Sequence, residues 1–256
     1  MTVETPPLSL IIPIAPGDHS WRALLVQLGR LCKEIEWAPN IQVILSARET
    51  LDVPDAIRQL FSDLVVIEKP IESLIERAES AGEAPAPVNA RAFQLNNGVQ
   101  GATGEYLWFL HADSEIDKPG LLQLFRFIEK EQGRVMAFFW LEFASDGPSF
   151  TRLNAWGANL RSRLFLLPFG DQGFLMSKTV WRDVGRYDES LLMGEDLDWV
   201  VRARMQGVCL RALPAKIKTS ARKYQRYGWL SVTLRHWVAT IGLARAAKSR
   251  FKNKQT

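Results

Sequence analysis

The chain has 256 residues, of which 47% are hydrophobic, and a formal net charge of +4. A chain of this length can bury a full core, so we predict one domain of α/β type with a C-terminal appendage. Two cysteines, Cys32 and Cys209, are too few for a disulfide scaffold or a cysteine-rich metal site, and we interpret them as buried thiols of a reduced, cytoplasmic protein. No apolar stretch approaches the roughly 20 residues of a membrane-spanning helix, and the run 8–12 is too short for a signal peptide.

The charge is divided unevenly along the chain. Residues 199–256, called here the basic segment, contain 14 Lys or Arg and no acid, so residues 1–198 carry a net charge of −10. A basic segment of this kind is suited to an anionic partner such as lipid head groups, nucleic acid or a substrate phosphate, and a solubilising surface is the alternative. Because it contains no recognisable nucleic-acid recognition motif, we expect no nucleic acid partner.

The predicted elements alternate between strand and helix. Apolar runs predict strands at 8–12, 41–45, 64–67, 106–110 and 136–143, with Pro13 ending the first. Apolar spacing predicts helices at 21–37, 56–61, 89–100, 121–128 and 197–205. This alternation predicts βαβ units and a mostly parallel central sheet flanked by helices.

The C-terminal part of the chain is predicted to form an amphipathic helix. Leu230, Leu234, Trp237, Ile241 and Ala244 fall on one helical face between residues 229 and 247, and a cluster of Lys and Arg follows. This helix either lies on an anionic membrane or docks on the domain. We therefore divide the chain into a domain at 1–212 and a basic helical extension at 213–256.

The turn after the central strand is the first candidate site. His111 and Asp113 follow that strand directly, at the end of a sheet where α/β proteins place ligands. Asp113 supplies an oxygen ligand suited to a hard cation, and His111 is a candidate second ligand. Since imidazole is softer than carboxylate, the pair shifts the preference from Mg²⁺ towards Mn²⁺.

Two further groups of polar residues are candidates. Arg91 and Gln94 lie at i and i+3 on the predicted helix 89–100, where their donors can face one ligand, or they form an ordinary polar surface. Glu195 and Asp196 begin the predicted helix 197–205. An acid at that place is either a general base or a helix cap.

These segments together resemble family 2 glycosyltransferases of the GT-A fold, over roughly residues 8–210. The likeness rests on five segments in order: Ile11-Ile12-Pro13, then Asn89 to Gly98, which is similar to Arg-x-x-Gln-x-Asn-x-Gly, then His111-Ala112-Asp113, which resembles Asp-x-Asp, then Gly170-Asp171-Gln172, and last Gly194-Glu195-Asp196. Within the family, the chain is most similar to a bacterial subfamily with His-Ala-Asp in place of Asp-x-Asp.

The resemblance implies a Rossmann-like GT-A domain that transfers a sugar, of hexosyltransferase type, with inversion. It implies a divalent cation, Mn²⁺ or Mg²⁺, held by Asp113 and His111, and a catalytic pair of acids in which Asp196 is the base and Glu195 its neighbour. Substrate binding is implied for Pro13, Arg91, Gln94, Asn97, Asp171 and Gln172. The expected partners are a nucleoside-diphosphate sugar and a hydroxyl acceptor, which the basic segment suggests is lipid-linked, at the inner face of the plasma membrane.

One departure from the family pattern keeps an alternative open. The second strand ends in Ser46, where the family has an acid that holds the nucleotide. This favours either weakened donor binding or a degenerate GT-A module that binds lipid or a protein through its basic segment. A nucleotidyltransferase is disfavoured because the segment after the first strand, residues 14–19, has one glycine and no Lys or Arg.

Overall fold

The computed structural model describes residues 7–35, 40–70, 88–131, 133–144, 151–220, 242 and 248–250, with only the backbone of 151–154. The predicted amphipathic helix 229–247 lies outside the described residues, apart from Gly242. In the part of the chain that is described, no helix has both the length and the apolar character needed to cross a membrane.

Eight strands within the described residues form one mixed sheet. They are β1 (Leu8–Ile14), β2 (Ile41–Ala47), β3 (Asp63–Glu68), β4 (Tyr106–Phe109), β5 (Glu115–Ile116), β6 (Val135–Phe143), β7 (Phe174–Ser177) and β8 (Cys209–Thr219). Their spatial order is β3-β2-β1-β4-β7-β6-β8-β5. The first four strands are parallel, whereas β7 is antiparallel to β4 and β6. Strand β8 is parallel to β6 and antiparallel to β5. The predicted α/β class is confirmed, with a mixed sheet in which four of the seven strand pairings are parallel.

Helices cover both faces of the sheet. Within the described residues they include α1 (Ser20–Glu34), α2 (Asp55–Arg58), α3 (Ala90–Gln100), α4 (Lys118–Lys130), α5 (Thr151–Phe165), α6 (Lys178–Val184) and α7 (Glu195–Met205), with a 3-10 turn at Gly170–Gln172. One buried core joins α1 and α4 to Leu10 and Ile12 of β1. The other joins α3, α6 and α7 to Ile11, because successive strand residues point to opposite faces.

Strand β1 continues past Pro13, where the sequence predicted its end. Pro13 is paired in register with Ser46 of β2. The carbonyl of Ile11 accepts from Leu110 N, so alternate residues of β1 direct their backbone groups towards β4. Pro13 faces the same side, but β4 ends opposite Ile11. The proline therefore interrupts no ladder hydrogen bond, and β1 runs on to Ile14.

The structure also bears on the predictions made for the two cysteines and for the domain boundary. Cys209 is exposed on β8, so the interpretation of both cysteines as buried is wrong for this one. Cys32 is partly buried, and burial raises its pKa to about 11. The proposed domain boundary after residue 212 falls inside β8, which continues to Thr219.

Helix α3 lies close against the centre of the sheet. Gly98 faces Ile11 of β1, and a Cβ at this glycine would overlap the Ile11 side chain. On the other side of the helix, Asn96 is buried, donates to Tyr187 O at 2.9 Å and accepts from Tyr187 N at 3.0 Å. These contacts place α3 between β1 and the loop that leads into α7.

Candidate functional site

Arg91, in the first turn of α3, joins three segments that are far apart in sequence. Its Nη1 donates to Glu195 Oε1 at 2.9 Å and lies 3.9 Å from Asp196 Oδ2, while its Nη2 donates to His111 Nε2. Burial lowers the pKa of Arg91, but the nearby carboxylates of Glu195 and Asp196 outweigh that effect and the pKa is raised overall. The guanidinium is therefore a permanent cation between the turn after β4 and the N-terminus of α7.

The two predicted catalytic acids have different surroundings. Glu195 is 5% exposed, and its second oxygen accepts from Asn89 Nδ2 at 3.0 Å, so both oxygens are engaged. Asp196 accepts one backbone N–H on each oxygen, from Gly170 at 2.8 Å and from Leu197 at 2.8 Å, and its side chain is 14% exposed. Asp196 thus combines a fixed orientation with access, whereas Glu195 holds Arg91 and Asn89.

Gly170 lets the backbone of the 3-10 turn lie close to the side chains of Arg91 and Asp196. A Cβ at Gly170 would overlap Arg91 Nη2 and lie 3.2 Å from Asp196 Oδ2. The 3-10 turn therefore brings its backbone against the ion pair, and the Gly170 N–H can reach the Asp196 carboxylate.

Gln172, in the same turn, has a supporting position. It is fully buried, donates to Phe139 O at 3.0 Å, and accepts from Ser162 Oγ at 2.8 Å and from Phe169 N at 3.1 Å. These bonds connect the turn to β6 and α5. Its predicted part in substrate binding is not supported by its burial. Asp171, its neighbour, is partly exposed and contributes to the raised pKa of Arg91.

Gln94 also supports the backbone. Its buried Nε2 donates to Ile14 O at 2.5 Å and to Ser46 O at 2.9 Å. It therefore joins the carboxyl ends of β1 and β2, one residue beyond Pro13, instead of pointing its amide donors at a ligand. The structure therefore does not direct the donors of Arg91 and Gln94 to one ligand, as the sequence predicted.

Asn97, by contrast, retains an unused donor. Its Oδ1 is 3.4 Å from Lys69 Nζ, but its buried Nδ2 has no partner among the described residues. The buried Oγ of Ser46, at the end of β2, likewise has no partner within that part of the chain. Because buried polar groups are nearly always hydrogen-bonded, a ligand or water is expected to complete these positions.

Asp113, the predicted carboxylate ligand of a cation, lies beside the end of β8. Thr219 Oγ1 donates to Asp113 Oδ1 at 3.3 Å. Burial raises the pKa of Asp113, against the hydrogen bonds from its own backbone and Thr219, and Asp18 adds to the rise. The described residues contain no group of three His, Cys, Asp or Glu that could hold a metal. One carboxylate completed by substrate phosphates is nevertheless a common way to bind Mg²⁺.

Some residues of this arrangement were not predicted from the sequence. Asn89 caps α3 by accepting from Ala92 N at 3.0 Å, and it also donates to Leu191 O at 2.9 Å. An Asn before a helix is a recognisable cap, but its second bond joins residues 102 positions apart. Thr219 reaches Asp113 from the end of β8, and no local pattern marks it.

The C-terminal stretch 248–250 contacts α7. Arg250 Nη2 donates to Asp198 Oδ1 at 2.9 Å, and Arg202 Nε donates to Asp198 Oδ2 at 2.8 Å. Asp198 is 4% exposed, and each of its oxygens accepts from one of these arginines. At these residues the basic segment is docked on the domain.

A cavity among the described residues lies away from these side chains. It has a volume of about 590 Å³ and is lined by Tyr106, Arg134, Ser177 and Lys178, among others. Because Tyr106 begins β4 and Ser177 ends β7, this cavity lies at the opposite edge of the sheet from His111 and Asp113.

We predict that Gly170→Ala lowers the stability by about 2 kcal/mol, because overpacking of a filled site costs about 1–3 kcal/mol. Chemical denaturation measures this change. The matched control is Gly157→Ala in α5, where a Cβ meets nothing within 4 Å. The control is expected to be neutral or up to about 1 kcal/mol more stable, since Ala favours helix over Gly. Equal effects of the two substitutions would contradict the close approach at Gly170.

Comparisons with known proteins agree with the fold. Residues 87–181 match the family described as Glycosyl transferase family 2. No curated protein matches the chain by sequence.

Solved structures show the same architecture. The structure of S. aureus TarS 1–349 in complex with UDP-GlcNAc is 16% identical, with a TM-score of 0.57 over 84% of this chain and 59% of that one. The Pyrobaculum calidifontis mannosyltransferase PcManGT in complex with GDP-Man and Mn²⁺ is 14% identical, with a TM-score of 0.58 over 87% and 59%. The chain thus spans about 59% of the length of each. These findings support a glycosyltransferase of the GT-A fold, with the family match at residues 87–181.

Proposed function

We propose that the protein is an inverting glycosyltransferase that moves a sugar from a nucleoside-diphosphate sugar to a hydroxyl acceptor. The observation that carries the proposal is Asp196, a partly accessible carboxylate whose two oxygens are each oriented by a backbone N–H. The family match supports sugar transfer. The similar structures are complexes with UDP-GlcNAc and with GDP-Man and Mn²⁺, which supports a nucleotide-sugar donor and a divalent cation.

In this proposal Asp196 is the general base. It takes the proton of the acceptor hydroxyl as that oxygen forms a bond to the anomeric carbon. The bond from the anomeric carbon to the diphosphate oxygen breaks on the opposite face, and its electron pair leaves with the diphosphate. Because attack and departure take place on opposite faces, the anomeric configuration inverts. Arg91 and the backbone of Gly170 keep the base in position.

On the donor side, Asp113 would hold the divalent cation, which neutralises the charge developing on the leaving diphosphate. The unpartnered Nδ2 of Asn97 and Oγ of Ser46 are available to the nucleotide near the ends of β1 and β2. A hydroxyl and an amide in place of a carboxylate form neutral hydrogen bonds, so donor recognition is expected to be weaker than with an acid there.

The donor site can be tested by calorimetric titration of UDP, GDP, dTDP and CDP, each with and without Mn²⁺. We expect one nucleotide to bind with higher affinity when Mn²⁺ is present. Asp113→Asn should reduce this gain in affinity about tenfold or more, since a ligand carboxylate is lost. Asp52→Asn, at a side chain that is 92% exposed, serves as the control and should bind as the unsubstituted protein does. Absence of binding to every nucleotide by folded protein would favour the degenerate module.

The base can be tested by Asp196→Asn. The variant should bind the donor as the unsubstituted protein does but transfer sugar about 100-fold or more slowly, because an amide cannot accept the proton. Release of nucleoside diphosphate from the donor identified by titration, followed by NMR, measures the loss. If Asp196→Asn instead abolishes donor binding, Asp196 belongs to the nucleotide site.

We further propose that the protein acts in the cytoplasm at the inner face of the membrane on a lipid-linked acceptor. The support is the exclusion of acids from residues 199–256. Sedimentation with anionic vesicles should retain the protein at low salt and release it at high salt, because the attraction is screened. Removal of residues 229–256 should abolish retention. Unchanged retention of the shortened chain would contradict the proposal.

A further inference from the structure

The contact between Arg91 and His111 decides what the imidazole can do. Arg91 Nη2 donates to His111 Nε2, and a guanidinium has donors only. His111 Nε2 must therefore be the acceptor, with its lone pair directed at Arg91. In a neutral imidazole with Nε2 as acceptor, Nδ1 carries the proton, so neither nitrogen has a lone pair for a cation.

The guanidinium is not easily moved away from the imidazole. Its other terminal nitrogen is paired with Glu195 at 2.9 Å, and Glu195 is itself fixed by Asn89 at 3.0 Å. Glu195 is 5% exposed, so separating this pair would leave a buried carboxylate without its cation. A divalent cation bound at His111 would in addition lie beside a permanent positive charge, which repels it.

We propose that His111 is not a metal ligand but a positioning residue, which together with Glu195 fixes the Arg91 guanidinium between the turn after β4 and the N-terminus of α7. Asp113 is then the single side chain of this turn that binds a divalent cation. His111 acts on the acceptor side, through Arg91 and Asp196. The assignment of Asp113 rests on the proposed function, whereas the pairing of His111 with Arg91 does not.

Metal ligation can be tested directly by pulsed EPR of bound Mn²⁺, which detects ¹⁴N of a coordinated imidazole. The protein is measured with Mn²⁺ alone and with Mn²⁺ and UDP, alongside His111→Gln and the control His19→Gln, whose imidazole is exposed. We expect no ¹⁴N coupling that depends on His111, whereas absence of bound Mn²⁺ would overturn the assignment of Asp113 to the cation. A coupling that disappears in His111→Gln but persists in His19→Gln would overturn the proposal for His111.

The positioning role can be tested by a double-mutant cycle in urea, with no nucleotide or metal. His111→Leu and Arg91→Met remove the two partners singly and together. The midpoint of the double variant is expected to shift about as much as that of the more affected single variant. His111→Gln, whose amide oxygen can accept from Arg91, should recover most of the loss in His111→Leu. Additive shifts, or no recovery by Gln, would overturn the proposal.

These measurements remain informative if sugar transfer is absent. Failure of every nucleotide to bind would count against the proposed function, while the urea cycle would still report the pairing of Arg91 with His111. Should Arg91→Met not fold, Arg91→Lys replaces it, since Lys keeps the charge but lacks the planar fork that contacts two partners at once.

Discussion

The ion pair between Arg91 and Glu195 is the constraint on which the site depends. It connects α3, which precedes the central strand, with α7, more than 100 residues later. The Glu195 side chain is 6% exposed and that of Arg91 is 32% exposed, so loss of Arg91 leaves a buried carboxylate without its cation. Because the pair is joined to His111 and lies beside Asp196, the donor and acceptor sides of the proposed site are held as one unit.

Side-chain amides around this pair tie the same elements together. Asn89 links the start of α3 to Leu191 and Glu195, Asn96 links its middle to Tyr187, and Gln94 links it to the ends of β1 and β2. Each amide donates to at least one backbone carbonyl of another element or loop. The polar face of α3 is thus mainly a scaffold, and the buried Nδ2 of Asn97 has no partner among the described residues.

Much of the fold could be predicted from apolar periodicity, since each of the five predicted strands corresponds to an observed one, whereas β5 and β8 were not predicted. Pro13 was misjudged as a strand end because the cost of a missing N–H depends on the neighbouring strand, and β4 stops before it. Gln94 and Gln172 were expected at substrates because the sequence shows amide groups but not the carbonyls they meet. The role of Gly170 depends on the approach of Arg91, which local patterns do not reveal.

The role that we propose for His111 in the turn after β4 differs from the sequence expectation for the same reason. A His two residues before an Asp suggests two ligands, and only the position of Arg91 shows that the His lone pair is directed elsewhere.

The most direct test is a crystal structure with Mn²⁺ and the nucleoside diphosphate that binds. We predict the diphosphate and Mn²⁺ at Asp113, with Arg91 still bonded to His111 and Glu195. Mn²⁺ on His111, or a nucleotide away from this edge of the sheet, would contradict the account.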